Sequence, residues 1–229
     1  EDEKKLTAYH EAGHAIVGLY VPAGIPVHKA TIIPRGRALG MVKFLPEGDR
    51  YSMKYKEYTS QLAVAMGGRV AEELIFGKEN VTSGASSDIQ QVTRIARAMV
   101  TQFGFSDELG HIDYANEQQS YLGNYSGGSN ASQETQKKID EEVRKIVDEG
   151  YQTAKRILTE HADELENLAQ GLLEYETLTG PEITRVMRGE GPGRDEDDTP
   201  STGTPSVASI PKTRPRPRND DGLEPNPSA

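Results

Sequence analysis

Apolar residues recur at helical spacing over most of the chain, and strand-like patterns are confined to one short stretch. Residues 3–21 run as one amphipathic segment. Leu6, His10, His14 and Val17 share a face, and Pro22 and Gly24 end the pattern. His28 to Pro34 is β-branched and predicts a strand. Arg35-Gly36-Arg37 is a turn and Leu39 to Leu45 a second strand, so the two together predict a hairpin or a sheet edge. Ser52 to Phe76 predicts a long helix with Leu62, Ala65, Met66, Val70, Leu74 and Ile75 as its apolar stripe. Gly67 and Gly68 weaken that helix from within, by about 1 kcal/mol each relative to alanine. Close packing of another helix is the preferred reason for them. Gly77 to Ser87 is loop. Asp88 to Phe103 predicts a helix with Ile89, Val92, Ile95, Ala96, Met99 and Val100 buried, and Ser86 or Ser87 as its cap. Residues 104–131, rich in Gly, Ser, Asn and Tyr, read as irregular. Ser132 to Thr159 predicts a charged amphipathic helix with Ile139, Val143, Ile146 and Val147 on one face. Ala162 to Tyr175 predicts another, and Gly180-Pro181 opens a last short one ending at Met187.

The pattern stops near Gly189. The remainder is Pro-, Ser- and charge-rich with almost no large apolar side chain, so it cannot bury enough surface to offset the entropy of ordering. The expected organisation is a folded domain over residues 1–189 and a disordered tail over residues 190–229. Arg214-Pro215-Arg216-Pro217-Arg218 within the tail reads as solvated chain rather than a docking motif. Of 229 residues, 27% are charged and 34% hydrophobic, no run is long enough to cross a membrane, and there is no signal peptide. The first residue is Glu1, not Met, which suggests a piece excised from a longer protein. A net charge of -10 argues against nucleic acid as a partner. With no cysteine, disulfides and thiolate metal sites are excluded.

One pentapeptide changes the picture. His10-Glu11-Ala12-Gly13-His14 is an HExxH sequence within the first helical segment. Residues four apart lie one turn above each other, so both imidazoles can reach a single ion. The glutamate between them sits where it can take a proton from an attacking water. Zinc is the usual occupant and peptide-bond hydrolysis the usual chemistry. The bland alternative is a solvated helix with two histidines at polar positions. It fits poorly, because Ala12, Gly13 and Ala15 are small where such a helix would carry Lys, Glu or Gln.

A catalytic zinc site normally takes three protein ligands. His28, His111 and His161 are candidates for the third, with many carboxylates. The extended motif, with a third histidine six residues after the second, is ruled out because that position is Tyr20. Glu72, on the following long helix, and Asp88, at a helix start after Thr82-Ser83-Gly84-Ala85-Ser86-Ser87, are the strongest candidates. Spacing alone does not separate them. At a helix start, Asp88 would also be favoured by the macrodipole alone.

Five segments in order resemble the protease domain of the FtsH family of ATP-dependent, membrane-anchored zinc metalloproteases with an AAA+ module. They are TAYHEAGHAIVG, VHKATIIPRGRALGMV, MGGRVAEELIFG, TSGASSDIQQVTRIARAMVTQFGFSDELG and LLEYETLTG, and they span about Lys4 to Met187. The resemblance implies a mainly α fold: a helical zinc-metalloprotease domain with a small β-hairpin or sheet edge beside the HExxH helix. It implies one Zn(2+) held by His10, His14 and Asp88, with Glu11 as general base and Glu72 close behind the ligands. It also implies unfolded or membrane-extracted protein substrates, a homo-hexamer, and a membrane connection through N-terminal segments outside this chain. The location would be the bacterial inner membrane, with the protease domain on the cytoplasmic side. ATP would be used by a module not in this chain, which contains no GxxxxGK[ST] sequence.

On this reading Glu11 accepts the proton of the attacking water and passes it to the leaving amine. An extended substrate needs a sheet edge that binds main chain with little sequence demand, and Leu39, Gly40, Met41 and Val42 are the candidates. Two rivals stand beside it. One is a free-standing zinc peptidase acting on small peptides. The other is a non-enzymatic helical oligomerisation module with a structural metal or none.

Overall fold

The structure, a computed structural model, describes residues 2–36, 38–46, 48, 52–115 and 131–194. Six α-helices, three short strands and two single 3-10 turns, Lys78–Asn80 and Ser83–Ala85, make up the regular structure of this part. The helices are α1 (Asp2–Tyr20), α2 (Tyr55–Phe76), α3 (Ser86–Thr101), α4 (Gln133–Glu160), α5 (Ala162–Tyr175) and α6 (Gly180–Met187). The strands are β1 (Val27–Thr31), β2 (Met41–Phe44) and β3 (Thr177–Thr179). The mainly α expectation and the hairpin are both met. The irregular stretch expected over residues 104–131 is met as far as residue 115, and most of the remainder falls outside the described residues. So do residues 195–229, which make up most of the expected tail.

The first helix is more than one-faced. Thr7 to Tyr9 and Glu11 to Gly18 are all buried, and α1 is covered by α2, α4, α5, β1 and β2. A helix enclosed on every side needs small or apolar residues all round, which accounts for Ala8, Ala12, Gly13, Ala15 and Gly18. Around it runs one continuous core that takes in Ile16, Leu62, Met99, Ile139, Ile157, Leu165, Leu172, Leu178 and Ile183.

Two predicted stripes are corrected at their ends. Leu74 and Ile75 of α2 are exposed at 39% and 40%. In that last turn the inward place goes to Phe76, whose ring lies edge-on to Tyr9 at 5.5 Å. Ile89 of α3 is likewise exposed, because the inward position one turn before Val92 is Asp88. The cap of α3 differs as well. Its preceding residue is Ala85, and neither Ser86 nor Ser87 caps it; the turn before it is capped instead, by Thr82 accepting from the Gly84 N–H. α4 and α6 start on side chains suited to capping. Ser132 accepts from the Thr135 N–H to start α4, and Thr179 with Glu182 forms a capping box ahead of Pro181 in α6.

The sheet has the order β2-β1-β3, antiparallel throughout. The hairpin register pairs Ala30 with Val42 and Thr31 with Met41. The turn between β1 and β2 is closed by an Arg35–Ala38 bridge around Gly36 at φ 64°. Strand β3 went unpredicted. Its three residues, Thr177, Leu178 and Thr179, are too short for an alternating pattern to register. They bring the C-terminal part of the fold back onto β1, so that β2 remains an edge.

α1 and α2 cross at the two glycines that sequence singled out. A Cβ on Gly13 would run into the Gly67 carbonyl oxygen and lie 2.7 Å from the Ala71 Cβ; one on Gly67 would lie 2.6 Å from the Gly13 carbonyl oxygen. The contact is backbone on backbone, so neither side can swing away. Gly13→Ala gains helix propensity of about 1 kcal/mol and forces an overlap whose cost is typically 1–3 kcal/mol or more. We expect net destabilisation of about 1–2 kcal/mol, measured by urea unfolding of the variant and the parent chain.

Candidate metal centre

α1 presents His10 and His14 one turn apart, and α3 presents Asp88 in its first turn. One nitrogen from each imidazole and one carboxylate oxygen lie within 4.8 Å of one another, the only such group of three found among the described residues. The His10 and His14 Nε2 atoms are 3.0 Å apart, and Asp88 Oδ2 is 3.3 Å from the first and 3.6 Å from the second. His28, His111 and His161, the other candidate third ligands, are not in this group. His161 stacks on Tyr20 and pairs with Glu164.

The far side of each imidazole fixes what the near side offers. His14 Nδ1 lies 2.7 Å from the Val64 carbonyl oxygen. A carbonyl only accepts, so Nδ1 carries the hydrogen and Nε2 a lone pair. His10 Nδ1 lies 2.7 Å from Glu72 Oε1. Burial would raise the Glu72 carboxyl, but the His10 imidazole and the N–H and hydroxyl of Thr82 outweigh it and hold it below the usual range. Ionised, it too only accepts, and His10 takes the same tautomer. With both imidazoles neutral, two Nε2 lone pairs and the Asp88 carboxylate would converge with no hydrogen between them, an arrangement that repels until a positive charge enters.

Without a metal, a proton on His10 supplies that charge. Burial pushes this imidazole down. Hydrogen bonds to Asp88 and Glu72, with Glu11 and Asp88 charged nearby, prevail and hold it at about 9. Asp88 responds in the opposite sense. Burial would raise it, but the two imidazoles keep it well below the ordinary carboxylate range.

The separations suit a particular ion. Tetrahedral bonds of about 2.0–2.1 Å place neighbouring ligand atoms about 3.3–3.4 Å apart. The three observed edges of 3.0, 3.3 and 3.6 Å bracket that value. Two nitrogens and one oxygen also suit zinc, and they leave a fourth position to be filled from outside the trio.

Room for the imidazoles comes from α2. A Cβ on Gly68 would lie 2.5 Å from His10 Nε2 and 2.6 Å from His14 Nε2. Gly67 thus admits the backbone of α1 and Gly68 admits its two imidazoles. Close packing explains both glycines, and at Gly68 the things packed are the rings of the candidate site. The Val64 carbonyl had no sequence signal at all, since any residue supplies one.

Glu11 is buried beside the trio, 6% exposed. Burial raises its carboxyl above the ordinary range, against the lowering pull of His14 and His10, and the Val42 backbone N–H donates to it. Gly40 closes over it: a Cβ there would lie 2.7 Å from Glu11 Oε1 and 2.8 Å from the Thr7 methyl. Edge strand β2 therefore runs directly past this carboxylate. Of the four edge residues singled out in the sequence, Gly40 and Val42 touch Glu11, Leu39 is 46% exposed, and Met41 pairs with Thr31. Glu72, the rival third ligand, is fully enclosed and reaches His10 only from behind.

Zinc metalloproteases are among the known proteins that this chain resembles. The chain is 59% identical over 200 residues to the ATP-dependent zinc metalloprotease FtsH of Caulobacter vibrioides, covering 86% of this chain and 32% of that protein. Against the protein of the same name from Rickettsia bellii it is 57% identical, covering 82% and 29%. Against that of Haemophilus influenzae it is 49% identical, covering 83% and 30%. The chain spans about a third of the length of the curated relatives it matches. The sequence profile of Peptidase family M41 matches residues 1–186, from the start of the HExxH helix through nearly all of α6, and the chain belongs to that family.

Proposed function

We propose that residues 1–189 are a zinc endopeptidase domain in which His10, His14 and Asp88 hold the metal and Glu11 is the general base. The observation that carries this is the convergence of two imidazole lone pairs and a carboxylate at tetrahedral spacing. When bound, zinc supplies a Lewis acid that acidifies a water molecule and polarises the scissile carbonyl. Glu11, held high by burial, takes the proton of the attacking water and returns it to the leaving amine. The stretch Leu39, Gly40, Met41 and Val42, which leads into edge strand β2, is the surface for an extended substrate, so recognition runs through main chain and demands little of the substrate's sequence.

In the longer protein we propose that this domain receives unfolded or membrane-extracted chains from an ATP-using AAA+ module. The relatives named above are called ATP-dependent, which supports the reading. We place the assembly as a homo-hexamer anchored in the bacterial inner membrane, with this domain on the cytoplasmic side. No described helix is long and apolar enough to cross a membrane, so the anchor would be supplied by other segments. Residues 190–229 are proposed to take no part in the chemistry.

His10→Ala and His14→Ala should each lose zinc and casein cleavage together, whereas Glu11→Gln should keep stoichiometric zinc and lose turnover by at least about 100-fold. Metal analysis beside the cleavage assay checks the separation of roles. A Glu11→Gln protein with near parental turnover would remove Glu11 from the mechanism.

The two carboxylates are ranked by a zinc titration. Asp88→Asn should abolish cleavage and weaken zinc the more. Glu72→Gln should weaken it about 10–100-fold, the usual cost of removing a group that orients a ligand. The reverse order would make Glu72 the ligand.

The ring is tested by light scattering over a range of concentrations. We expect the isolated chain to associate through one heterologous interface repeated until it closes. A strict monomer at high concentration that still cleaves peptides would favour a free-standing peptidase instead.

A further inference from the structure

The loop between α2 and α3 is fastened at one point that neither the metal trio nor the general base accounts for. Thr82 donates twice to the same oxygen of Glu72, from its backbone N–H at 3.1 Å and from its hydroxyl at 3.3 Å. The other oxygen of Glu72 takes His10 Nδ1 at 2.7 Å. The Thr82 hydroxyl oxygen also accepts from the Gly84 N–H at 3.1 Å, which starts the single turn Ser83–Ala85. Ala85 is buried, and α3 follows at once with Asp88 in its first turn.

These contacts form one chain of connections: His10, Glu72, Thr82, the Ser83–Ala85 turn, Asp88. Two of its ends are candidate metal ligands on different helices. The Glu72 side chain has no exposed surface, so its direction is fixed by its surroundings and it works as a rigid strut. Thr82 itself is exposed, so no core packing explains a residue of this kind there. The hydroxyl group has a requirement that only Ser or Thr meets: it must donate to Glu72 and accept from Gly84 at the same time.

We propose that Thr82 is a positioning residue that sets the distance of Asp88 from His10 by tying the Asp88 loop to the carboxylate that orients His10. The inference rests on the metal reading above. Thr82 touches neither metal nor substrate; it acts by tying Glu72 to the turn it caps, so its effect depends on Glu72.

The test uses the full chain loaded with zinc and, in parallel, with cobalt(II), whose visible absorption reports the geometry of its ligands. Zinc release to an excess of chelator is followed with time. Thr82→Val removes the hydroxyl and keeps the shape. It should release zinc about 10-fold faster than the parent and alter the cobalt spectrum, while the far-ultraviolet circular dichroism stays the same. Thr82→Ser restores the hydroxyl and should stay within about twofold of the parent. If the action runs through Glu72, Thr82→Val placed on Glu72→Gln should add less than about twofold.

Parental release rate and spectrum in Thr82→Val would overturn the proposal, and so would Thr82→Ser behaving like Thr82→Val. A full 10-fold effect surviving on Glu72→Gln would show that the threonine merely stiffens its own turn, and would overturn it too. A parent chain that takes up no zinc at all would instead overturn the metal reading on which the proposal stands. Because residue 82 is exposed, we expect each variant to fold; were Thr82→Val not to, Thr82→Ala makes the same deletion of the hydroxyl and is read by the same criteria.

Discussion

Glu72 carries a carboxylate into a place that water does not reach, and the site is built around satisfying it. A buried charge of this kind is costly unless every lone pair finds a donor. Here the donors come from three directions: the HExxH helix, the backbone of the following loop and a threonine hydroxyl. Meeting the needs of one side chain on α2 therefore fixes α1 and the start of α3 relative to each other. Helix packing alone would leave such a register soft at the level of an ångström. A hydrogen-bonded carboxylate has fixed directions and removes that slack.

The approach of α1 to α2 has the same logic at lower energy. Two glycines inside a long helix lose stability locally, and they are tolerated because each admits something no side chain would allow. Gly67 takes the backbone at Gly13, and Gly68 takes two imidazole rings. With α1 covered on all sides, the ring nitrogens are held by neighbours instead of by solvent, and their tautomers are set by a carbonyl and a carboxylate. The resulting pocket is poised for positive charge, as the raised imidazole of His10 and the depressed carboxyl of Asp88 both express.

Most of the scaffold was legible in the sequence because it is made of long periodic helices. α5 and α6 begin and end where the pattern and the Gly180-Pro181 start predict. The failures fall where periodicity carries no information. β3 is three residues long. Leu74, Ile75 and Ile89 obey the helical period and still face outward, because a period fixes which residues share a face and says nothing about where cover ends. Asp88 shows the reverse. It takes the inward position one turn before Val92, which the apolar pattern assigns to Ile89. Spacing left it level with Glu72, since both lie on helices near the motif; only the direction of approach, front or behind the imidazole, separates them. Thr82 was passed over because a polar residue in a polar loop looks like any other.

Strand β3 lies almost 150 residues after the strand it pairs with, and that order has a consequence for a chain made from its N-terminus. His10, Glu11, His14, Glu72 and Asp88 all precede Thr177 to Thr179 in the chain by about 90 residues or more. Until those last residues are synthesised, β1 lacks its second neighbour, and the edge beside Glu11 hangs from a two-stranded ribbon, which is marginal by itself in water. The chemical groups are thus complete long before the surface that would present a peptide to them is firm. The layout of the fold therefore puts the closing of the sheet after the synthesis of every side chain at the candidate metal centre.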